Sequence, residues 1–582
     1  MMKGVRGDSS PRSETGVRGE ISPRKRGEPG GSPPRGLLRA AVLIAAITVL
    51  ARAVGSGRQL VFAHTVGTSC LGTAYTTANM VPNIVYDIVL GGALTAVVVP
   101  VLAGDADAER TRQTSAALLT WTVLLLVPVS AVIAGIAEPL VSVLLGSAPG
   151  CPRASMVTTG GHMLMVFAPQ ILLYGLAVVL YGILQSHRRF AAPALAPVVS
   201  SLVVVAAYFW FGETGRQYTG AGLPAIPATA WLILAVGTTA GVAALVLTPF
   251  GPVARLRLRL RPTLTFPDGV ARRVRSLAGA GIATLIAQDA STVVVIVLAN
   301  SRDAGGAGLV LYSYAWAVFF LPYAVLAVPI ATSAFPELSA RAAAGDTAGF
   351  DGTTATSTRA VLVASWLGAA GLAGVAIPLA RVFESHADAD ARQLAIAFAL
   401  FAPALVGYGL IANLSRVLYA SGRNRAAAYA VCGGWLAVIV ADLVIVPLVP
   451  ASWVVPALGA GTSIGLTVGG VALLVLVRRG SVGGADGASG VGARPSAAGP
   501  PAPLALRGCG RAGLAGFGGA LAGAAAGLGV SAGLRVGGFW PNFAVTLVAS
   551  TAVLAVFLGV LAVTDGGDLR AVLRSRRKAA GP

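Results

Sequence analysis

The sequence predicts an all-α integral membrane protein of about 14 transmembrane helices, arranged as two six-helix bundles and a C-terminal helix pair. Three observations predict it. Of 582 residues, 55% are hydrophobic and only 11% are charged, against roughly 25% charged in a soluble domain. The apolar residues fall in repeated blocks of roughly 20, the length that crosses a ~30 Å hydrocarbon core. Arg-rich segments alternate with segments poor in basic residues, as cytoplasmic and external loops do.

Residues 1–36 are rich in Gly, Pro, Ser and Arg, cannot bury a core, and read as a disordered basic cytoplasmic tail. The apolar run from Leu37 is too long for the core of a secretory signal and is followed by many more spans. Spans are expected at 38–64, 74–103, 115–146, 160–185, 193–211 and 225–248, which make an N-terminal bundle over 37–249. The third is expected to tilt or break near Ala137-Glu138-Pro139. Residues 250–275 form a basic cytoplasmic loop holding Arg255, Arg257, Arg259, Arg261, Arg272, Arg273 and Arg275. A second bundle covers 276–477, with spans at 276–300, 307–335, 358–382, 393–421, 426–449 and 453–477. The Gly/Ala/Pro/Ser-rich stretch 478–513 reads as a flexible cytoplasmic linker. It precedes a terminal helix pair over 514–563, with spans at 514–534 and 540–563, and a basic cytoplasmic tail, 564–582.

The loops that hold Arg110 and Arg112, Arg188 and Arg189, Arg341, and Arg423 and Arg425 fall on the same side as both tails. The acid-rich stretch Glu384–Asp390 falls on the other. A multi-pass protein of a bacterial plasma membrane with both termini cytoplasmic is therefore expected. A missed span would put every later loop on the wrong side. Lysine occurs only at Lys3, Lys25 and Lys578, and this Arg bias, with abundant Ala and Gly, fits a high-GC bacterial genome. A weak repeat relates Tyr174-Gly175 through Arg189 to Tyr408-Gly409 through Arg423, which suggests two halves of common ancestry.

Several function classes are excluded. The net charge of +20 lies in short inter-span segments, which is not a nucleic-acid footprint. Four cysteines with no CxxC pair, and four histidines with no ligand-spaced pair, argue against a metal site. No Walker A or GxSxG motif is present, so neither a nucleotide cofactor nor an enzyme is expected. Membrane potential or an ion gradient is left as the energy source.

Charges inside spans are costly and usually face a cavity. Arg52 and Arg58 lie in the first span, with Gly55-Ser56-Gly57 between them as a potential unwinding point. Two guanidiniums over a cavity suit a diphosphate; snorkelling or pairing with a carboxylate is the alternative. Asp87 is a candidate partner for either arginine or a member of a proton or cation path, in a bendable second span carrying Pro82 and Gly91-Gly92. Asp289 and Asp442 are single acids in spans seven and eleven, each a candidate coupling-ion ligand or a neutralised buried carboxylate. Arg416 reads as a snorkelling side chain, Arg359 and Arg381 as span-end anchors, and Trp316, Phe319 and Phe320 as a packing face. Cys70 and Cys151 fall in external loops and are a possible disulfide; Cys432 and Cys509 are expected to stay reduced.

The stretches ARAVGSGRQLVFAHTVGTS and TAYTTANMVPNIVYDIVLGGALTAVVVPVLA resemble the start of MurJ/MviN proteins. These are lipid II flippases of the multidrug/oligosaccharidyl-lipid/polysaccharide exporter superfamily. YGILQSHRRFAAPALAP, YSYAWAVFFLPYAVLAVPIATSAFPELS and LYASGRNR support the resemblance, which spans roughly 38–477. It implies that Arg52 and Arg58 match the family's paired arginines, and that Asn79, Pro82 and Asn83 match its Pro-Asn segment. Tyr86 and Asp87, also placed at the substrate by this match, stand where many members have Arg-Arg and resemble the actinobacterial branch. Thr73 and Ala317 stand where many have an Asp and an Arg, departures that fit a divergent paralogue.

The resemblance implies a flippase that carries lipid II, an undecaprenyl-pyrophosphate-linked glycopeptide, by alternating access for peptidoglycan synthesis, cell-wall biogenesis and cell shape. It also implies a lipid-tail groove in the terminal pair. Alternatives are a polysaccharide-precursor or multidrug exporter, or a transport-inactive scaffold for wall-synthesis or division proteins.

Overall fold

In hydrocarbon, a backbone N–H or C=O finds a partner only within its own helix or in a closed barrel. Apolar runs of this length therefore become helices. The computed structural model describes residues 35–88, 108–146, 151–187, 189–215, 227–258, 261–266, 270–301, 307–383, 388–480, 504–534 and 536–564. The tail before residue 35, the second half of the second span, residues 481–503 and the tail after 564 lie outside the described residues.

The first half of the chain contains α1 (Arg35–Thr65), α2 (Cys70–Asp87), α3 (Ala108–Gly135), α4 (Ala137–Leu144), α5 (Arg153–Phe167), α6 (Pro169–Ser186), α7 (Ala191–Thr214) and α8 (Ala228–Ala254). The second contains α9 (Val270–Ser301), α10 (Gly308–Pro322), a π-helical turn (Tyr323–Ala327), α11 (Val328–Ala344), α12 (Thr347–Gly374), α13 (Ala376–Phe383), α14 (Asp388–Phe401), α15 (Ala404–Ala420), α16 (Asn424–Ile445) and α17 (Val454–Gly480). The terminal pair is α18 (Cys509–Gly533) and α19 (Phe539–Thr564). Among the described residues, 10 helical spans are long and apolar enough to cross a membrane, or 12 if each bent pair is one span. Helices α1 and α2 occupy the first two predicted spans, so the arrangement is consistent with fourteen.

Three expectations shift. Helix α1 runs unbroken through Gly55-Ser56-Gly57, so no unwinding re-aims Arg52 and Arg58. The basic loop is shorter than 250–275, because α8 continues to Ala254 and α9 begins at Val270. The linker is shorter than 478–513: α17 continues to Gly480, and Cys509, expected in it, begins α18 and is buried beside the Ala355 carbonyl.

The breaks occur at the same motifs in both halves. Gly135-Ile136-Ala137-Glu138-Pro139-Leu140 ends α3 and opens the eight-residue α4. Gly374-Val375-Ala376-Ile377-Pro378-Leu379 ends α12 and opens the eight-residue α13, with a bend of 63°. Phe167-Ala168-Pro169 separates α5 from α6, and Phe401-Ala402-Pro403 separates α14 from α15 at 41°. Proline supplies each break because it lacks an N–H and clashes with the carbonyl a turn earlier. The repeat that begins at Tyr174 and Tyr408 thus extends back through two further pairs of elements.

Small residues bring backbones together where apolar side chains gain nothing over lipid. A Cβ at Gly407 of α15 would lie 2.4 Å from the Leu466 carbonyl group of α17. In the terminal pair, Gly516 lies against Trp366 of α12, and Gly523 and Gly527 against Val553 of α19. The Cys70–Cys151 disulfide, with Cα atoms 5.7 Å apart, joins the start of α2 to the approach to α5. Cys432 is free. We call this the disulfide end of the bundle and the opposite one, near Arg341, Arg423 and Arg478, the basic end.

Gly407→Ala should lower the thermal unfolding midpoint in detergent by several degrees, an overpacking cost of about 1–3 kcal/mol. Gly433→Ala, whose added methyl would meet nothing within 4 Å, should leave the midpoint unchanged or slightly raised.

Candidate functional site

A cavity of about 240 Å³ with several polar groups in its wall lies where the two halves meet. Its wall draws Arg58, Gln59 and Phe62 from α1, and Asn79, Asn83 and Asp87 from α2. Gln288, Ser291 and Thr292 come from α9, and Tyr312, Ser313, Trp316 and Ala317 from α10. Tyr75 of α2, Tyr208 of α7, Trp435 of α16 and Thr462 of α17 also line it. Arg58 is the one cation and Asp87 the one acid among these lining residues.

The hydrogen bonds separate fixed groups from free ones. Asn83 donates to the Asn79 carbonyl at 2.9 Å and accepts from the Tyr174 hydroxyl at 3.1 Å, so its orientation is set. The Tyr75 hydroxyl lies 2.8 Å from that of Tyr208 and 2.7 Å from that of Thr238, which ties α2 to α7 and α8. By contrast, Nε of Arg58 and Oδ1 of Asn79 are buried without a partner. Leaving such a group unsatisfied costs about 1–3 kcal/mol, more for a charged one. A bound polar ligand would remove that cost.

Not every predicted site residue reaches the cavity. Arg52 does not line it: six residues of straight helix put it about 9 Å from Arg58 along the axis and about 120° around it. It is exposed, with Cζ 4.9 Å from the centre of the Phe320 ring. Pro82 is buried within α2. Tyr86 packs its ring on Tyr174 at 4.3 Å. Asp87 pairs with neither arginine; among the described residues it makes no ion pair. Asp289 is 3% exposed, with Oδ2 unpartnered, and Asp442 is wholly buried, with both carboxylate oxygens unpartnered. Neither lines the cavity. Asp442 leaves room only for glycine opposite, since a Cβ at Gly461 would fall 1.9 Å from its Oδ1. It is nonetheless close to the wall, within electrostatic reach of Tyr312.

Trp316, expected only to pack, lines the cavity, while Phe319 is buried in the core and Phe320 carries Arg52. Arg359, expected as a span-end anchor, lies against Gly508 at the start of the terminal pair. Sequence reasoning missed Tyr75, Tyr208, Gln288, Ser291, Thr292 and Thr462. One signal was available: Gln288, Ser291 and Thr292 recur at helical spacing inside an apolar span, a polar stripe that hydrocarbon would not tolerate.

The cavity is closed at the disulfide end by bonds between the halves. Asn300 of α9 donates to the Thr77 hydroxyl at 3.1 Å and to the Leu144 carbonyl at 2.9 Å. Thr68 donates to Asp390 at 2.9 Å, and the His64 Nε2 lies 3.0 Å from the Val382 carbonyl.

The family profile described as "Lipid II flippase MurJ" matches residues 62–492. The chain belongs to the MurJ family of lipid II flippases. It is similar to the lipid II flippase MurJ of Burkholderia cenocepacia, 24% identical over 436 residues, which are 73% of this chain and 81% of that one. A probable lipid II flippase MurJ of Synechocystis is 28% identical over 256 residues, 41% of this chain and 44% of that one. The solved structure titled "Lipid II flippase MurJ, inward closed conformation" superposes with a TM-score of 0.67 at 17% identity, covering 90% of this chain and 98% of that one. An inward-facing multidrug resistance MATE transporter of the MOP superfamily has a TM-score of 0.59 at 12% identity, over 74% and 93% of the two chains. Both likenesses are of fold. As a MurJ-family flippase the protein is a transporter, not an enzyme. Its departures from the common MurJ pattern fall on and near the cavity: Ala317 is a bare methyl in the wall, Thr73 is buried, and Tyr86-Asp87 contributes one acid to the wall.

Each Asn300 bond holds the halves together by about 1 kcal/mol. Asn300→Ala, which removes both, should therefore raise by roughly thirtyfold the rate at which a Ser291→Cys variant, in a Cys432→Ala background, is labelled by an impermeant maleimide from the disulfide side.

Proposed function

We propose that the protein moves lipid II from the cytoplasmic to the external leaflet by rocking its two six-helix halves about the Arg58 cavity. The observation that carries this reading is a half-buried arginine whose buried Nε has no partner, in a cavity at the seam between repeated halves. The ligand that best satisfies it is the diphosphate of the lipid-linked precursor, because guanidinium and phosphate oxygens form paired, charge-assisted bonds. Asn79 and Gln288 supply neutral polar groups for the sugars, and Trp316 a flat apolar surface. The basic end faces the cytoplasm, as the positions of Arg341, Arg423 and Arg478 favour. The bonds of Asn300, Thr68 and His64 then form the external gate, closed in this state.

The terminal pair packs through α18 on α12 and leaves Leu514, Leu521 and Leu547 exposed, a surface suited to the polyprenyl tail. Energy comes from an ion gradient or the membrane potential. Asp442 is the better placed coupling group: a buried carboxylate whose two oxygens have no protein partner needs a proton or a cation. Asp289 is the second candidate on the same grounds.

Depletion in the native host, with lipid II labelled on each membrane face, tests the reading. Precursor should accumulate on the inner face, and wild type but not Arg58→Ala should restore outer-face labelling. Unchanged outer-face lipid II on depletion would sink the assignment and favour a scaffold role. In proteoliposomes, Asp442→Asn should abolish the response of transport to an imposed ion gradient while leaving undecaprenyl diphosphate binding within about twofold of wild type.

A further inference from the structure

We infer that the Cys70–Cys151 disulfide positions the gate at its own end of the bundle: it holds the two acceptors of Asn300 in register, so that the seam between the halves closes fully only in the oxidised protein. That this gate serves transport rests on the flippase reading; the bonds, and the link between the elements that carry them, do not.

The two acceptors sit on separate elements of the first half. Asn300, buried near the end of α9 in the second half, donates to the Thr77 hydroxyl of α2 at 3.1 Å and to the carbonyl of Leu144, the last residue of α4, at 2.9 Å. The Thr77 hydroxyl spends its own proton on the Thr73 carbonyl at 2.8 Å, so it meets Asn300 as an acceptor. Oδ1 of Asn300 is buried without a partner. Its desolvation is a cost, and the two donations made together offset it. One amide reaches both oxygens only while α2 and α4 keep a fixed spacing.

The disulfide sets that spacing. Cys70 is the first residue of α2, about two turns before Thr77. Cys151 stands just before α5, at the end of the connection from α4, and the two Cα atoms lie 5.7 Å apart. The backbone is braced on each side of the link. Ser69 caps α2, accepting from the Gly72 N–H at 3.0 Å and donating to the Val66 carbonyl at 3.0 Å. Arg153, at the start of α5, donates to the Ser142 carbonyl at 2.7 Å and to the Leu145 carbonyl at 3.3 Å, across the end of α4. A Cβ at Gly160 of α5 would fall 2.9 Å from Val141, and one at Gly161 3.0 Å from Cα of Glu138, so α4 and α5 form one corner. The corner also packs on α2 at Gly160, whose Cβ would lie 3.6 Å from the Ala74 carbonyl. Such packing can slide; a covalent link beyond it cannot, and the link fixes where the Leu144 carbonyl points. Breaking it leaves the capped helix and the corner intact and frees the spacing between them, so Asn300 keeps one acceptor at a time. Exchange with a dithiol breaks it in balance: the protein gains two thiol hydrogens and the dithiol closes to a disulfide. Both cysteines are half-buried, within reach of such a reagent.

The test follows the full-length Ser291→Cys, Cys432→Ala protein in proteoliposomes, with an impermeant maleimide on the disulfide side and labelling read by peptide mass. Adding Cys70→Ser and Cys151→Ser should raise the labelling rate at position 291 about fivefold, the loss of one neutral hydrogen bond. Reduction with dithiothreitol should give the same rise, and reoxidation with oxidised glutathione should reverse it. In an Asn300→Ala background, where both donations are already gone, the same changes should alter the rate by less than twofold. A cross-link that only stabilises the fold acts through the unfolded chain; it would lower the unfolding midpoint when removed, without this dependence on Asn300. Cys70→Ala with Cys151→Val replaces the serine pair if that variant is unfolded. A rate after reduction within twofold of the oxidised protein would overturn the inference, and so would a fivefold rise that persists in the Asn300→Ala background. The assay contains no lipid II, so either result leaves the flippase reading to the depletion experiment.

Discussion

A backbone amide in hydrocarbon has no solvent to turn to, and most of this structure follows from that constraint. Helix α1 carries Gly55-Ser56-Gly57 at mid-length, a combination that would loosen a helix in water. A Cβ at Gly55 or Gly57 would meet nothing within 4 Å, so no packing demand explains these glycines. The helix stays closed because opening it would strand peptide groups. Its closure then fixes Arg52 and Arg58 on different faces, so that Arg58 lines the cavity and Arg52 lies on Phe320 outside it.

Where the backbone does break, it breaks at proline, and at equivalent places in the two halves. The Gly-x-Ala-x-Pro-Leu and Phe-Ala-Pro motifs each end one helix and open another. Shared breaks give the halves a shared shape, and two similar shapes facing each other leave a cavity at their seam. The bonds that close that seam at the disulfide end are few and individually weak: two from Asn300, one from Thr68 and one at His64. Neutral bonds of about 1 kcal/mol each separate more readily than buried ion pairs would, since separating those leaves uncompensated charges.

The buried acids show a cost that membrane packing alone does not repay. Asp442 is enclosed by close contact between α16 and α17, tight enough that Gly461 admits no side chain. A carboxylate held there without a hydrogen bond would be eliminated from a purely structural seam. Its neighbour Tyr312 lines the cavity, so a change in the charge of Asp442 can be felt at the cavity wall.

The sequence by itself determined the class of the protein, its helical spans and its family. Hydropathy blocks and the spacing of Arg segments are local properties that hydrocarbon thickness and backbone satisfaction translate directly into helices. It also held the candidates Arg58, Asn79, Asn83 and Asp87, because a charge or amide inside an apolar run is conspicuous. It did not separate these from Arg52, Pro82 and Tyr86, which differ only in the face each presents after packing. Tyr75, Tyr208 and Thr462 were silent in the sequence, since a tyrosine or threonine in a span is common and only its neighbours reveal its role. Which helices meet at the cavity, and which oxygens are left without partners, were decided by the tertiary structure. These depend on contacts between helices hundreds of residues apart, and no local pattern encodes such contacts.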